Sequence, residues 1–193
     1  IEDNGIGMSR EELSDALGTI ARSGTRAFME RVEAGKAADG TQLIGQFGVG
    51  FYSAFMVADR VDVITRQAGS DQAWRWSSDG KGEYSIAAAD EQDAPARGTR
   101  VVLHLADDAL SFAEPFALNK LVTSHSGHVP VPISIVEKPG EEAQEVADGT
   151  ALWLKSKNDI SPEEYTEFYR SVAGQYDEPA VTVHFRAEGR HEY

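Results

Sequence analysis

GQFGVGFYSAFMV, residues 45–57, is the stretch that decides how the rest of the chain is interpreted. It starts as a glycine-rich loop and continues into an apolar run with four residues at helical spacing: Phe51, Ala54, Phe55 and Ala58. This spacing predicts a buried helix whose N-terminus carries the glycines. Glycine permits the close approach of another group, and a helix N-terminus offers unpaired N–H groups and a partial positive charge. The stretch therefore predicts an anion site, and phosphate is the ligand we expect there.

This glycine loop matches neither of the common nucleotide-binding patterns. No Gly-Lys-Ser/Thr follows it, as a P-loop requires, and Ser53 stands where the Rossmann pattern has its third glycine. Close packing of a helix through small residues explains the glycines equally well. The loop by itself leaves a phosphate site and a packing role open.

Composition and charge exclude several classes of partner. The chain has 193 residues, of which 41% are hydrophobic, enough for a proper core in one or two domains. Its net charge of −14 argues against nucleic acid or an anionic membrane, since both bind basic surfaces. The absence of cysteine excludes disulfides and thiol chemistry. We see no run of membrane-span length and no signal peptide, and we expect no membrane partner.

The N-terminal residues predict a strand end, a glycine loop and a short helix. Ser9 and Glu12 form the S-x-x-E pattern of a capping box, and Gly18 is the predicted stop after Leu17. The chain begins at Ile1 rather than Met, and a strand cannot be built from the two residues before the first motif. We therefore expect a piece of a longer protein, cut just before or inside this first element.

Residues 18–45 have the composition of a lid that is hinged on glycines. A helical stretch is interrupted at Gly24, and glycine costs about 1 kcal/mol inside a helix. The small polar run EAGKAADGT, residues 33–41, follows it. Arg22 and Ser23 in this segment could contact a phosphate, but the sequence favours a solvated charge for Arg22 unless the lid closes.

Four later runs have strand character: residues 60–66, 73–77, 83–87 and 97–105. They predict a mostly antiparallel sheet with helices on one face, an α+β sandwich. Ser111 and Glu114 predict a second capping box that opens a helix to about Ser124. Prolines restrict residues 130–136 to an edge strand.

The C-terminal part changes character. Acidic residues and glycines mark residues 137–150 as a solvated linker or a hairpin tip. Ser161 and Glu164 predict a capped helix with an apolar stripe that reaches Val172, and residues 181–185 predict a last strand. So short a segment cannot bury a core alone. The predicted parts are a first domain at residues 1–136, a linker at 137–150 and the truncated start of a second domain at 151–193.

The pattern Asp3-x-Gly5-x-Gly7-Met8 is suited to an adenine base. The exocyclic amine of adenine is a hydrogen-bond donor, so a buried carboxylate accepts it, and the glycines let the backbone pass close to the ring. Met8 can pack on the ring face. The hydroxyl of Thr99 could bond the base directly or through a water. An Asp-Gly turn and a plain β-forming threonine remain open as alternatives.

Four motifs in one order carry a resemblance: DNGIGM at residues 3–8, LGTIARSGT at 17–25, IGQFGVGFYS at 44–53, and Gly98-Thr99. Together they resemble the ninety-kilodalton heat-shock protein (HSP) chaperone family. The GQFGVGF run is highly specific, whereas Asp-x-Gly-x-Gly is shared with gyrase, MutL-type repair proteins and sensor histidine kinases. Leu152-Trp153 and residues 163–170 resemble that family's entry into its middle domain, so the likeness covers essentially the whole chain.

The resemblance implies a two-layer α/β sandwich that binds ATP or ADP, as in gyrase, MutL and histidine kinases. It further implies a cytoplasmic, homodimeric chaperone that uses ATP hydrolysis to cycle around unfolded client proteins. By position, Asp3 would bind the adenine amine, Thr99 would support it through water, and Gly7 and Met8 would line the base. The residues implied at the phosphates and in the lid are Arg22, Ser23, Gln46, Phe47, Gly48, Val49, Gly50 and Phe51.

Several departures limit what the resemblance assigns. The family's catalytic glutamate and its Mg²⁺-binding asparagine lie upstream of Asp3, so no catalytic and no metal residue is assigned in this chain. Glu2, Glu11 and Glu12 fall on the wrong side of the motif to replace that base. Ala16 stands where many relatives place a polar nucleotide contact. We expect the 193 residues alone neither to hydrolyse ATP nor to bind it tightly.

Two other functions stay open on the sequence. One is another ATPase of the same superfamily, such as a sensor histidine kinase or a MutL-like repair protein. The other is a protein-interaction module that keeps the fold without turnover.

Overall fold

The computed structural model describes residues 1–18 and 49–185. The chain divides into two compact units, Ile1–Leu110 and Ser111–Tyr193. Residues 19–48, which include most of the predicted lid, lie outside the described residues.

The first unit is built on a four-stranded antiparallel sheet. Its strands are β1 (Ala58–Arg66), β2 (Ala73–Ser78), β3 (Tyr84–Ala88) and β4 (Gly98–Leu105), in the order β3-β2-β1-β4. All four predicted strands are confirmed to within two residues at each end. The predicted α+β class with a mostly antiparallel sheet is also confirmed.

The central strand β1 is buried on both of its faces. Val61, Val63 and Thr65 are buried on the face that the alternation predicted, and they face the hydrophobic core. The buried members of the core cluster are Leu13, Ala58, Val61, Val63 and Trp76. Asp62 and Ile64 point to the other face and are buried as well, which the alternating pattern did not predict. A strand with partners on both sides and both faces covered is the most constrained element of this unit.

The helix α1 (Arg10–Leu17) follows the predicted capping box. The Glu12 N–H donates to Ser9 Oγ at 3.2 Å, and the Ser9 N–H donates to Glu12 Oε2 at 2.9 Å. Gly18 is the C-cap residue, as predicted. Leu13 is completely buried in the core and Leu17 packs partly against it, so two apolar side chains anchor this short helix to the sheet.

The segment after the glycine loop differs from its prediction. Gly50–Met56 is a seven-residue 3-10 helix with no fully buried residue, and Ala58 already belongs to β1. Phe51 and Phe55 do pack edge to face on Trp76, with ring centroids 5.6 Å and 6.5 Å from its ring. The helical spacing is therefore realised over about two turns of a 3-10 helix. The helix ends before β1, because Ala58 pairs with Leu105 of β4.

Up to residue 185, the second unit contains two α-helices and a β-hairpin. The elements are α2 (Pro115–Ser126), β5 (Pro132–Ile135), β6 (Gln144–Asp148) and α3 (Pro162–Ala173), and β5 pairs antiparallel with β6. The predicted capping box at Ser111 is wrong, since Ser111 lies inside a 3-10 helix, Asp107–Ala113. The helix α2 starts after Glu114, because Pro115 occupies its first turn.

Three other predictions in this unit have different outcomes. Residues 137–150 contain β6, so of the two alternatives the hairpin agrees with the structure. Ser161 caps α3 with Glu164 as predicted, but Val172 is exposed rather than part of a buried stripe. The strand predicted at residues 181–185 is wrong, because this run pairs with no strand in the described part of the unit. The limits of the predicted domains stay a prediction.

Helix lengths also bear on the membrane question. Among residues 1–18 and 49–185, no helix combines the length and the apolar character that a membrane crossing requires.

Candidate functional site

Asp3 and Thr99 lie side by side and are joined by hydrogen bonds in both directions. The Asp3 N–H donates to the Thr99 carbonyl oxygen at 2.9 Å, and the Thr99 N–H donates to Asp3 Oδ1 at 3.2 Å. The Gly5 N–H donates to the same Oδ1 at 2.8 Å. Two backbone donors thus fix one carboxylate oxygen, and no hydrogen bond from the described residues reaches Asp3 Oδ2. This leaves Oδ2 as an oriented acceptor.

The exposure of Asp3 differs from the expectation of a buried carboxylate. Asp3 is exposed, and it precedes a loop without regular structure. Its orientation therefore comes from backbone hydrogen bonds rather than from burial. An exposed and oriented acceptor is open to a donor on a ligand.

Gly7 and Gly98 let the loop lie directly on the sheet. Both have positive φ, 66° and 98°. A Cβ at Gly7 would lie 1.9 Å from the Arg66 carbonyl oxygen, and a Cβ at Gly98 would lie 2.2 Å from the Asp3 carbonyl oxygen. Only glycine fits at either position. The close approach that Gly7 requires is therefore already explained by the chain's own backbone, whether or not a base lies nearby.

Met8, which the motif predicts beside the base, packs partly against the hydrophobic core. Its N–H donates to Thr65 Oγ1 at 3.0 Å. The end of the motif is thereby tied to the middle of the sheet.

Thr65 is a residue that the sequence reasoning missed. It is completely buried, and its Oγ1 also lies 3.1 Å from the Gly98 carbonyl oxygen and 3.2 Å from Thr99 Oγ1. The alternating pattern placed Thr65 on the buried face of β1. Nothing in the sequence indicated that the loop and the start of β4 both close on its hydroxyl.

The predicted phosphate site is described only in part. Val49, Gly50 and Phe51 are described, whereas the following predicted residues lie outside the described range: Arg22, Ser23, Gln46, Phe47 and Gly48. Val49 and Gly50 are exposed and Phe51 is half-buried. Since the helix that starts at Gly50 is a seven-residue 3-10 helix, the dipole of a longer α-helix does not support an anion here. The assignment of the phosphate contacts therefore depends on the sequence motif alone.

A polar cluster on the other face of β1 serves structure rather than this site. Ser77 Oγ donates to Asp62 Oδ1, and His104 Nε2 lies 2.9 Å from Asp62 Oδ2. Burial raises the pKa of Asp62, but hydrogen bonds from Ser77 and His104 and the charge of Arg60 outweigh it and hold that pKa below its usual value. Because Ser77 bonds to the carboxylate and not to His104, the cluster is not a nucleophile–base pair.

Within residues 1–18 and 49–185, no group of three or more His, Asp or Glu side chains is arranged to hold a metal ion. We assign no chemical step to Mg²⁺.

Comparison with known proteins gives two family matches. Residues 1–103 match the family described as histidine kinase-, DNA gyrase B-, and HSP90-like ATPases, and residues 134–193 match the family described as Hsp90 protein. The first match is consistent with the sheet and helix arrangement of the first unit.

Curated relatives match the whole chain. It is 70% identical to the chaperone protein HtpG of Rhizobium meliloti and 71% identical to that of Mesorhizobium japonicum, each over 193 residues. It is 51% identical to the chaperone protein HtpG of Gluconobacter oxydans over 196 aligned residues. All of this chain is covered in each case, but only 31%, 30% and 31% of the respective relatives. The chain thus spans less than a third of the length of these relatives.

Proposed function

Since the chain belongs to the histidine kinase-, DNA gyrase B- and HSP90-like ATPases, we propose that it is part of an ATP-dependent molecular chaperone of the Hsp90 kind. The Hsp90 match at residues 134–193 and the relatives named chaperone protein HtpG favour this function over a sensor kinase or a repair ATPase. In this proposal, ATP binding and hydrolysis drive conformational changes around unfolded client proteins. The whole protein acts as a homodimer in the cytoplasm, in the response to heat shock.

The observation that carries the proposal is the pairing of Asp3 with Thr99. Two N–H donors hold Asp3 Oδ1, so Oδ2 is directed to accept a hydrogen bond from a ligand. An exocyclic amine of adenine supplies that donor, and a carboxylate acceptor makes the bond charge-assisted. Thr99 adds a hydroxyl at the same place. These residues bind and orient the base, and they do not take part in bond cleavage.

The remaining contacts in the proposal follow the family motifs. Backbone N–H groups of residues 46–51 hold the phosphates, and Arg22 and Ser23 reach the nucleotide from the lid. The catalytic base and the Mg²⁺ ligand are assigned to residues outside this chain. The 193-residue stretch by itself therefore neither hydrolyses ATP nor binds it tightly. Calorimetry that showed micromolar ATP binding by this stretch would contradict that statement.

The substitution Asp3→Asn in the full-length protein tests the proposed site. The asparagine side chain can keep the bonds from Gly5 and Thr99, but it presents an NH₂ group where Oδ2 accepted the amine. Loss of one charge-assisted bond predicts at least about a tenfold decrease in ATP affinity. Asp59→Asn is the matched control, because Asp59 is exposed on β1 and makes the same change of charge.

Calorimetry measures the affinities, and phosphate release measures turnover. A wild-type protein that binds no adenine nucleotide would refute the function. Binding without phosphate release would favour the interaction module instead. Equal affinities of Asp3→Asn and Asp59→Asn would remove Asp3 from the site.

A further inference from the structure

Thr65 has three polar neighbours and lies beneath the proposed base site. Its hydroxyl oxygen is 3.0 Å from the Met8 nitrogen, 3.1 Å from the Gly98 carbonyl oxygen and 3.2 Å from Thr99 Oγ1. The side chain is completely buried, so water does not replace any of these partners. Each neighbour belongs to a segment that carries or adjoins a base-site residue.

Proton counting gives each of these contacts a direction. A hydroxyl has one proton to donate and two lone pairs to accept. The Met8 N–H can only donate, and the Gly98 carbonyl can only accept. Thr65 therefore donates its hydrogen bond to the Gly98 carbonyl oxygen. All three contacts are satisfied together only if the Thr99 hydroxyl donates a hydrogen bond to Thr65 Oγ1.

This direction decides what Thr99 presents to a ligand. With its proton committed to Thr65, the Thr99 hydroxyl offers lone pairs alone. The Asp3 carboxylate, which the Thr99 N–H holds through Oδ1, is also an acceptor. A water that bridged both groups would give them its two protons and would itself only accept. Both direct and water-mediated contacts therefore require a donor on the ligand.

We infer that Thr65 is a positioning residue that turns the Thr99 hydroxyl into a hydrogen-bond acceptor and so contributes to the selection of an amine-bearing purine. The inference rests on the proposed function, because it names what sets the preference of that same site. Thr65 does not touch the nucleotide; it acts through Thr99.

The test compares ATP with inosine triphosphate, in which a carbonyl replaces the exocyclic amine of the purine. Thr65→Val in the full-length protein keeps the shape of the side chain and removes the hydroxyl. The Thr99 proton is then free to meet the carbonyl of inosine, so the ratio of ATP affinity to inosine triphosphate affinity falls about fivefold. Thr65→Ser restores the hydroxyl and retains the wild-type ratio. Calorimetry with both triphosphates gives the ratio for each variant.

The outcomes separate this inference from the proposed function. A wild type that binds neither triphosphate overturns the function, and the inference with it. A wild type that binds ATP, with equal losses for both triphosphates in Thr65→Val, overturns the inference alone, because a purely structural role lowers both affinities together. If Thr65→Val does not fold, Thr99→Val and Thr99→Ser decide the matter. Thr99→Val should lower the ratio of ATP affinity to inosine triphosphate affinity, and Thr99→Ser should retain the wild-type ratio. An unchanged ratio in Thr99→Val overturns the inference.

Discussion

Replacing Gly98 by alanine tests how the proposed base-binding loop is held on the sheet. Gly98 is the first residue of β4 and has a φ of 98°. Its missing Cβ leaves room for the backbone of Asp3, whose carbonyl oxygen would lie 2.2 Å from an added methyl carbon. Since backbone cannot move aside as a flexible side chain can, Gly98→Ala must displace Asp3, the strand or both.

Two separate costs determine how strongly Gly98→Ala destabilises the protein. Forcing an L-residue to this φ costs about 1–3 kcal/mol. Relieving the contact requires the Cβ–oxygen distance to grow from 2.2 Å to an ordinary 3.4 Å, a shift of 1.2 Å in hydrogen-bonded backbone. Overpacking of this kind adds about 1–3 kcal/mol. We therefore expect Gly98→Ala to destabilise the region by about 2–6 kcal/mol.

Gly82 supplies the matched control. It has nearly the same φ, 105°, but a Cβ there would meet nothing within 4 Å. Gly82→Ala should bear only the first cost, about 1–3 kcal/mol. The difference between the two variants isolates the contact with Asp3.

Hydrogen exchange followed by mass spectrometry in the full-length protein measures the local stability of β1 and β4. ATP affinity, measured by calorimetry, should fall in Gly98→Ala, because the Asp3 carboxylate moves, and should stay unchanged in Gly82→Ala. The reasoning is refuted if the two variants lose equal protection in these strands and bind ATP equally well.

Two further predictions concern stability. The pKa of Asp62 is lowered in the folded protein, so the ionised carboxylate stabilises the fold above the unfolded value of about 3.9, and this stabilisation is lost as the pH falls through the lower folded value. Asp62→Asn should therefore lower stability at neutral pH and flatten its decline in acid, as measured by urea unfolding across that range, whereas Asp59→Asn should keep the wild-type profile. Ser161→Ala should cost about 1 kcal/mol as the loss of a helix N-cap. Ser111→Ala should be nearly neutral, since Ser111 caps no helix, and equal effects of the two substitutions in chemical unfolding would contradict the assigned caps.

The two capping patterns show that the S-x-x-E rule alone does not decide where a helix starts. Both have serine three residues before glutamate, yet Ser161 caps a helix and Ser111 does not. The proline decides: Pro162 follows its serine directly, whereas Pro115 follows Glu114. Proline is favoured at the first helical position, so the residue before it becomes the N-cap. A prediction that had given the proline precedence would have found both helix starts.

The strands were predictable because alternation with a period of two is a local signal. Burial of Asp62 and Ile64 was not, because it depends on what covers the second face of the sheet. The failed strand at residues 181–185 has the same cause. Its apolar residues alternate, but a strand exists only with a partner, and the described residues supply none beside it. Local patterns thus predict the capacity to form strands, and neighbours decide whether strands form.

The candidate site depends on contacts between residues that are far apart in the sequence. Asp3 bonds to Thr99, and Met8 bonds to Thr65, across 96 and 57 positions. Only the order of the family motifs pointed to the first pair, and nothing pointed to the second. The glycines of the motif were predicted to make room for a base, yet the space beside Gly7 is taken by the carbonyl of Arg66.

In the proposed site, this arrangement places the control of base recognition in the sheet. The loop after Asp3 has no regular structure, so its shape is imposed by the backbone that fills the space beside Gly98 and by the hydroxyl of Thr65. One constraint is steric and the other is polar, and neither residue has to touch a nucleotide. If both act as argued, Gly98→Ala should weaken ATP binding by moving the carboxylate. Thr65→Val should instead change the preference between purines. If Gly98→Ala lowers the ATP affinity and Thr65→Val changes the purine preference, then β4 and β1 determine where the Asp3 acceptor lies and which way the Thr99 hydroxyl proton points.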